Sequence, residues 1–69
     1  MKISARNTLP GIVRKIKEGA VNAEVTIELA PSLSIVSIIT LEAVRGLKLK
    51  AGDRAYAVIK ASSVMVGVD

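Results

Sequence analysis

With 69 residues the chain can form one small domain, residues 1–69, burying only about 60% of what its unfolded form exposes; with no Cys and no His it lacks disulfides and the preferred zinc ligands, so oligomerisation is the remaining staple. Hydrophobic residues make up 51% of it, so apolar surface is expected at subunit contacts, yet the longest apolar run, Ala55–Ile59, is far short of the roughly 20 residues of a membrane span. A net charge of +4 calls for anionic partners, while Tyr56 as the only aromatic residue argues against the stacking platforms of a nucleic-acid groove.

The chain opens on Ile3-Ser4-Ala5-Arg6-Asn7. In an extended segment Ser4 and Arg6 share a face, so a hydroxyl and a fixed fork of N–H donors can converge on one tetrahedral anion. Arg6 and Asn7 also interrupt the stretch before a secretory h-region can form, and a cytoplasmic location is the expectation. Gly11 to Lys17 reads as a strand with Ile12 and Ile16 on the face of Arg14, Pro10 and Gly11 suggesting an irregular start or an edge position. Glu18 to Val21 is a turn bending at Gly19.

Asn22 to Leu29 is the clearest periodic segment. Ala23, Val25, Ile27 and Leu29 alternate with polar partners, the pattern of a half-buried strand. From Leu33 to Thr40, Ile35 and Ile39 point one way while Val36 and Ile38 point the other, so this strand expects cover on both faces, the second from another subunit. Thr40 can cap a short helix through Ala43 and Val44, with Glu42 in its first turn and Gly46 as the stop.

Lys48 to Asp53 turns the chain, and Arg54 to Lys60 is a fourth strand with Tyr56 and Val58 opposite Ala55, Ala57 and Ile59. Lys60-Ala61-Ser62-Ser63 repeats the opening recipe with an ammonium and two hydroxyls. The run Val64–Val68 is apolar and uncharged, a hazard unless another strand pairs with it. The expected fold is all-β: a small five-stranded OB-like Greek-key barrel with one short helix between strands 3 and 4.

The remaining charges read as solvated surface. Glu24 and Glu28 share a strand face but have no cleft or acid partner, and neither a Gly-rich phosphate loop nor a Ser-His-Asp set exists. No enzyme and no catalytic cofactor is expected; the chemistry is anion capture.

Taken in order, Ile3-Ser4-Ala5-Arg6-Asn7 with Leu9 and Gly11, then Gly19-Ala20-Val21-Asn22-Ala23-Glu24-Val25, Ser37-Ile38-Ile39-Thr40 and Lys60-Ala61-Ser62-Ser63-Val64-Met65 resemble the successive motifs of the molbindins, the molybdenum-pterin-binding or Mop proteins, and the related TOBE domains. The resemblance implies a barrel assembled as a hexamer, a trimer of dimers, that binds molybdate or tungstate between subunits for intracellular storage and homeostasis. It implies oxyanion binding by Ser4, Ala5 and Arg6, with Asn7 in the same motif, and by Thr40, Lys60, Ala61 and Ser62 of the opposing subunit. At Ala43 a related domain has a serine, so only a backbone N–H could serve there. A second site near a threefold axis would use Gly19, Ala20 and Val21. No side chain is expected to ligate a metal directly, since molybdenum would arrive as its oxyanion. The competing reading is an OB-type nucleic-acid module, carried by topology and charge.

Overall fold

A computed structural model describes residues 1–69 as four antiparallel strands and two short helices: β1 (Asn7–Glu18), β2 (Asn22–Ala30), β3 (Leu33–Thr40), α1 (Leu41–Gly46), β4 (Arg54–Ile59) and a 3₁₀ turn at Ala61–Ser63. The strands form one sheet in the order β3-β2-β1-β4. Its two edge strands line common cavities, one with Ile35 and Val36 of β3 beside Tyr56 to Ile59 of β4. The sheet is therefore curled toward a barrel, as expected, but β3 and β4 share no ladder.

The expected fifth strand is absent. Val64–Asp69 forms no element, and Met65, Val66 and Val68 are more than nine-tenths exposed. The segment pairs with neither edge strand, β3 or β4. The extended tail contributes to a radius of gyration of 12.7 Å, against roughly 11 Å for a compact chain of this length.

β2 meets expectation, its alternation placing Ala23, Val25 and Ile27 in the core with Val13, Val44 and Ala57. β1 differs. Its register with β2 shifts between Val13 and Lys15, a bulge at Arg14 that reverses which side chains point inward. Val13 is thus fully buried, while Ile12 and Ile16 are only half-buried and no longer share a face. Arg14 is left on the surface, 3.1 Å from Glu28.

β1 is also central and longer than expected, yet its pairing with β2 begins only at Ile12. At Pro10 it has one neighbour, Tyr56 of β4, so the missing N–H is accommodated as it would be at an edge. Gly11 is needed for close approach: a Cβ there would sit 2.6 Å from the Glu28 carbonyl oxygen and from Ile27 Cγ2.

In β3, Ile35 and Ile39 pack against the core, whereas Val36 and Ile38 are 59% and 66% exposed. The two-faced strand is as expected, and within one chain its outer face is bare. α1 begins as foreseen, the Ala43 N–H donating to Thr40 Oγ1 at 3.0 Å. Its stop differs. Gly46 is the last helical residue, and the left-handed position is Lys48, φ 54°. Lys48 N–H donates to Arg45 O and Leu49 N–H to Val44 O, both at 3.1 Å, the paired bonds of a Schellman stop with Lys where glycine is usual.

Candidate functional site

The β1–β4 register brings the two donor motifs together. Asn7 faces Ile59 and Thr8 faces Val58, so one further step along each strand sets Arg6 opposite Lys60. An open groove of about 610 Å³ forms there, lined by Ile3, Ser4, Ala5, Arg6, Val58, Lys60, Ala61 and Ser62. Six of the expected binding residues, Ser4, Ala5, Arg6, Lys60, Ala61 and Ser62, thus meet within one chain. The resemblance implied that Lys60 reaches the anion from an opposing subunit; antiparallel pairing places Lys60 beside Arg6 of the same chain.

The groove contains donors and no carboxylate. The only ion pair in the molecule is Arg14 with Glu28, so Arg6 and Lys60 are both free of counter-charges. Ser4, Ala5 and Arg6 precede β1, and no backbone bond from their N–H groups is formed; the same holds for Ala61 and Ser62, because the 3₁₀ turn uses only the N–H groups of Ser63 and Val64. Unused backbone donors beside a guanidinium, an ammonium and hydroxyls suit an anion rich in acceptor oxygens.

Asn7 does not line the groove. It is half-buried at the first position of β1, where alternation puts it on the side of Leu9 and Ala57. Thr40 and Ala43 stand at the other end of the sheet: Thr40 pairs with Asn22, and Ala23 pairs with Glu18 at the far end of β1. Neither lines the groove. The Ala43 N–H that was expected to face an anion is already donated to Thr40 Oγ1, while the Thr40 hydroxyl proton is still available.

Gly19, Ala20 and Val21 form the β1–β2 connection at this same far end. Gly19 N–H donates to Asn22 O at 2.7 Å, and Val21 O accepts from Leu41 N–H at 2.9 Å, leaving the N–H groups of Ala20 and Val21 unused. The start of α1 and this turn are therefore joined, away from the Arg6–Lys60 groove. The groove also contains two residues that sequence reading did not assign, Ile3 and Val58. Val58 was legible, since it precedes Lys60 by two and shares its strand face.

No group of His, Cys, Asp or Glu side chains is placed to hold a metal ion, and no helix is long and apolar enough to cross a membrane.

Comparison with known proteins gives a consistent picture. The TOBE domain model matches residues 3–66. A protein of Haemophilus influenzae named "Probable molybdenum-pterin-binding protein" is 52% identical over 69 residues, the whole of both chains. Among solved structures, MopII from Clostridium pasteurianum superposes with a TM-score of 0.90 at 45% identity, covering 97% of this chain and 100% of that one. The cytoplasmic molybdate-binding protein ModG, in a form with molybdate bound, superposes with a TM-score of 0.94 at 54% identity, covering 100% of this chain and 49% of that one.

Proposed function

The chain belongs to the TOBE domain family, and from that premise we propose that it binds molybdate, with tungstate as the alternative oxyanion, and serves molybdenum storage and homeostasis in the cytoplasm, residues 1–69 acting as one domain. The observation that carries this is the groove in which Ser4, Ala5 and Arg6 face Lys60, Ala61 and Ser62 without a carboxylate. Relatives named for binding molybdenum-pterin or molybdate support it.

The chemistry selects among anions. Molybdate at neutral pH is a dianion with four acceptor oxygens and no proton, so a set rich in donors and without a carboxylate satisfies it. Hydrogen phosphate carries a proton for which the groove offers no carboxylate, only neutral serine hydroxyls and backbone carbonyls, and once a second copy closes the groove a donor left unsatisfied costs roughly 1–3 kcal/mol. Sulfate has no such proton and must be rejected by size.

The groove of one chain is open, and Thr40 lies elsewhere. We take the complete site to form between copies, with Thr40 of one copy reaching the groove of another in a hexamer built as a trimer of dimers. The bare outer face of β3 and the unpaired Val64–Val68 run supply the contact surface. The turn Gly19, Ala20 and Val21, with two free N–H groups, would serve a second class of site. The protein acts by binding and needs no catalytic cofactor.

The test is calorimetric titration of the purified protein with sodium molybdate, together with elemental analysis of dialysed protein. Saturable heat and retained molybdenum at micromolar anion are expected; neither would be compatible with a storage role if absent. A nucleic-acid module would instead bind single-stranded DNA with a steep dependence on salt, but the groove contains no aromatic side chain for a base to stack on.

A further inference from the structure

The first six residues are attached to the barrel in an unusual way. None of the backbone groups of Met1–Arg6 takes part in a hydrogen bond, since the β1–β4 ladder begins only at Asn7. Ser4, Ala5 and Arg6, half of the candidate site, therefore owe their place to packing, at half-buried Ala5 and at the two ends of this segment. One end is the ladder. The other is Met1, which lines an apolar cavity of about 350 Å³ at the open side of the barrel with Val25, Ile27, Ile39, Leu47 and Leu49.

We propose that Met1–Arg6 is a strap, seated by Met1 in this apolar mouth and by Asn7 in the sheet, and that the seating of Met1 positions Ser4, Ala5 and Arg6 over Lys60. Met1 is a positioning residue: it lines the mouth and not the groove. The inference rests on the oxyanion reading of that groove.

Met1 is 76% exposed, so its seat is shallow and the strap exchanges between seated and unseated forms. A ligand whose binding-competent form is only partly populated binds with an affinity reduced by that fraction. Coupling between two sites is also reciprocal. Anion held by Arg6 and Lys60 must draw Met1 into the mouth to the same degree that a seated Met1 favours the anion. The cavity wall includes Tyr56 as well, whose ring gives the seated methyl group a distinctive magnetic environment. Met65 is the other methionine, and its signal is told apart from that of Met1 because it persists in Met1→Leu.

The experiment uses the full chain with Met1→Ala and Met1→Leu, produced behind a leader that a protease removes, and reads molybdate affinity by calorimetry. Met1→Ala is expected to weaken binding about fivefold, the size that burial of roughly 40 Å² of apolar surface supports, and Met1→Leu to restore it. Without molybdate, Met1→Ala melts no more than about 5 °C below the unsubstituted protein, the size of the same burial, so the fold persists in all three. In unsubstituted protein carrying ¹³C-methyl methionine, saturating molybdate moves the Met1 methyl signal upfield. Wild-type affinity in Met1→Ala, or an unmoved Met1 signal in a molybdate-saturated protein, overturns the strap. Failure of the unsubstituted protein to take up molybdate overturns the oxyanion reading and the strap with it.

Discussion

Lys60→Ala is expected to weaken molybdate binding about thirtyfold. Lys60 is an exposed ammonium at the end of β4, in the groove with Arg6 and without a carboxylate partner, so its charge is fully available to a bound dianion. A single positive charge about 4 Å from two negative ones is attracted by roughly 2 kcal/mol even at the dielectric constant of bulk water, which corresponds to about thirtyfold in affinity. That figure is the screened limit; a second subunit closing over the groove would raise it. Titration calorimetry at physiological ionic strength measures the change, and melting without ligand is expected to stay at the wild-type value because Lys60 makes no side-chain hydrogen bond. Lys15→Ala is the control: it removes the same charge from an exposed site on β1 facing Thr26 and should cost less than twofold. Lys60→Ala binding within threefold of wild type, or an equal loss in Lys15→Ala, would refute the reasoning.

Lys48→Gly should raise thermal stability by about 0.5–1 kcal/mol, because Lys48 holds the left-handed position at the end of α1 and glycine adopts it without steric penalty; calorimetric melting should place the midpoint about 4 °C higher. Gly11→Ala should destabilise by about 3 kcal/mol, since its Cβ would meet the backbone of Glu28 at 2.6 Å, read as a lower urea midpoint. Thr40→Ala should lose about 1 kcal/mol through the cap to Ala43 and also weaken molybdate binding, whereas Thr40→Ser should retain both, compared by melting and titration. Deleting Val64–Asp69, which forms no strand of its own, should leave the far-ultraviolet spectrum unchanged and lower the mass in solution measured by light scattering.

The parts of the fold that were legible are those in which one periodicity acts without competition. Ala23, Val25 and Ile27 alternate strictly and are all buried, and Thr40 followed by Glu42 and Ala43 is a helix start whose hydrogen bond forms as read. β1 was misread because a bulge carries no residue-level signature here: Arg14 is an ordinary surface side chain, yet its insertion opposite β2 decides that Val13 and not Ile12 fills the core. The α1 stop was misplaced by two residues because Gly46 is the obvious candidate, while the hydrogen bonds to Val44 and Arg45 require Lys48 to take the left-handed turn. The donor motifs at each end of the chain were visible as chemistry, and the resemblance implied that they meet between subunits, but their meeting within one chain was not legible. It depends on a β1–β4 register fixed by long-range pairing that neither motif encodes.

The same register bears on why anion binding and assembly would be linked. Alternation along β4 sets Tyr56, Val58 and Lys60 on one outer face, and Val58, which lines the groove, is 40% exposed while Tyr56 is 54% exposed. The groove is therefore bordered by apolar surface that a second copy would cover. Covering it without an anion would hold Arg6 and Lys60 together with no counter-charge while water is withdrawn, and like charges repel more strongly as the local dielectric constant falls. With a dianion between them the sign reverses, and the same withdrawal of water strengthens attraction. On the proposed reading, the apolar face and the donor pair oppose each other in the empty protein and cooperate in the filled one. A ligand that favours the assembled state stabilises it by mass action, so the hexamer should tighten as molybdate rises, and removal of the anion should loosen it first at the β4 face.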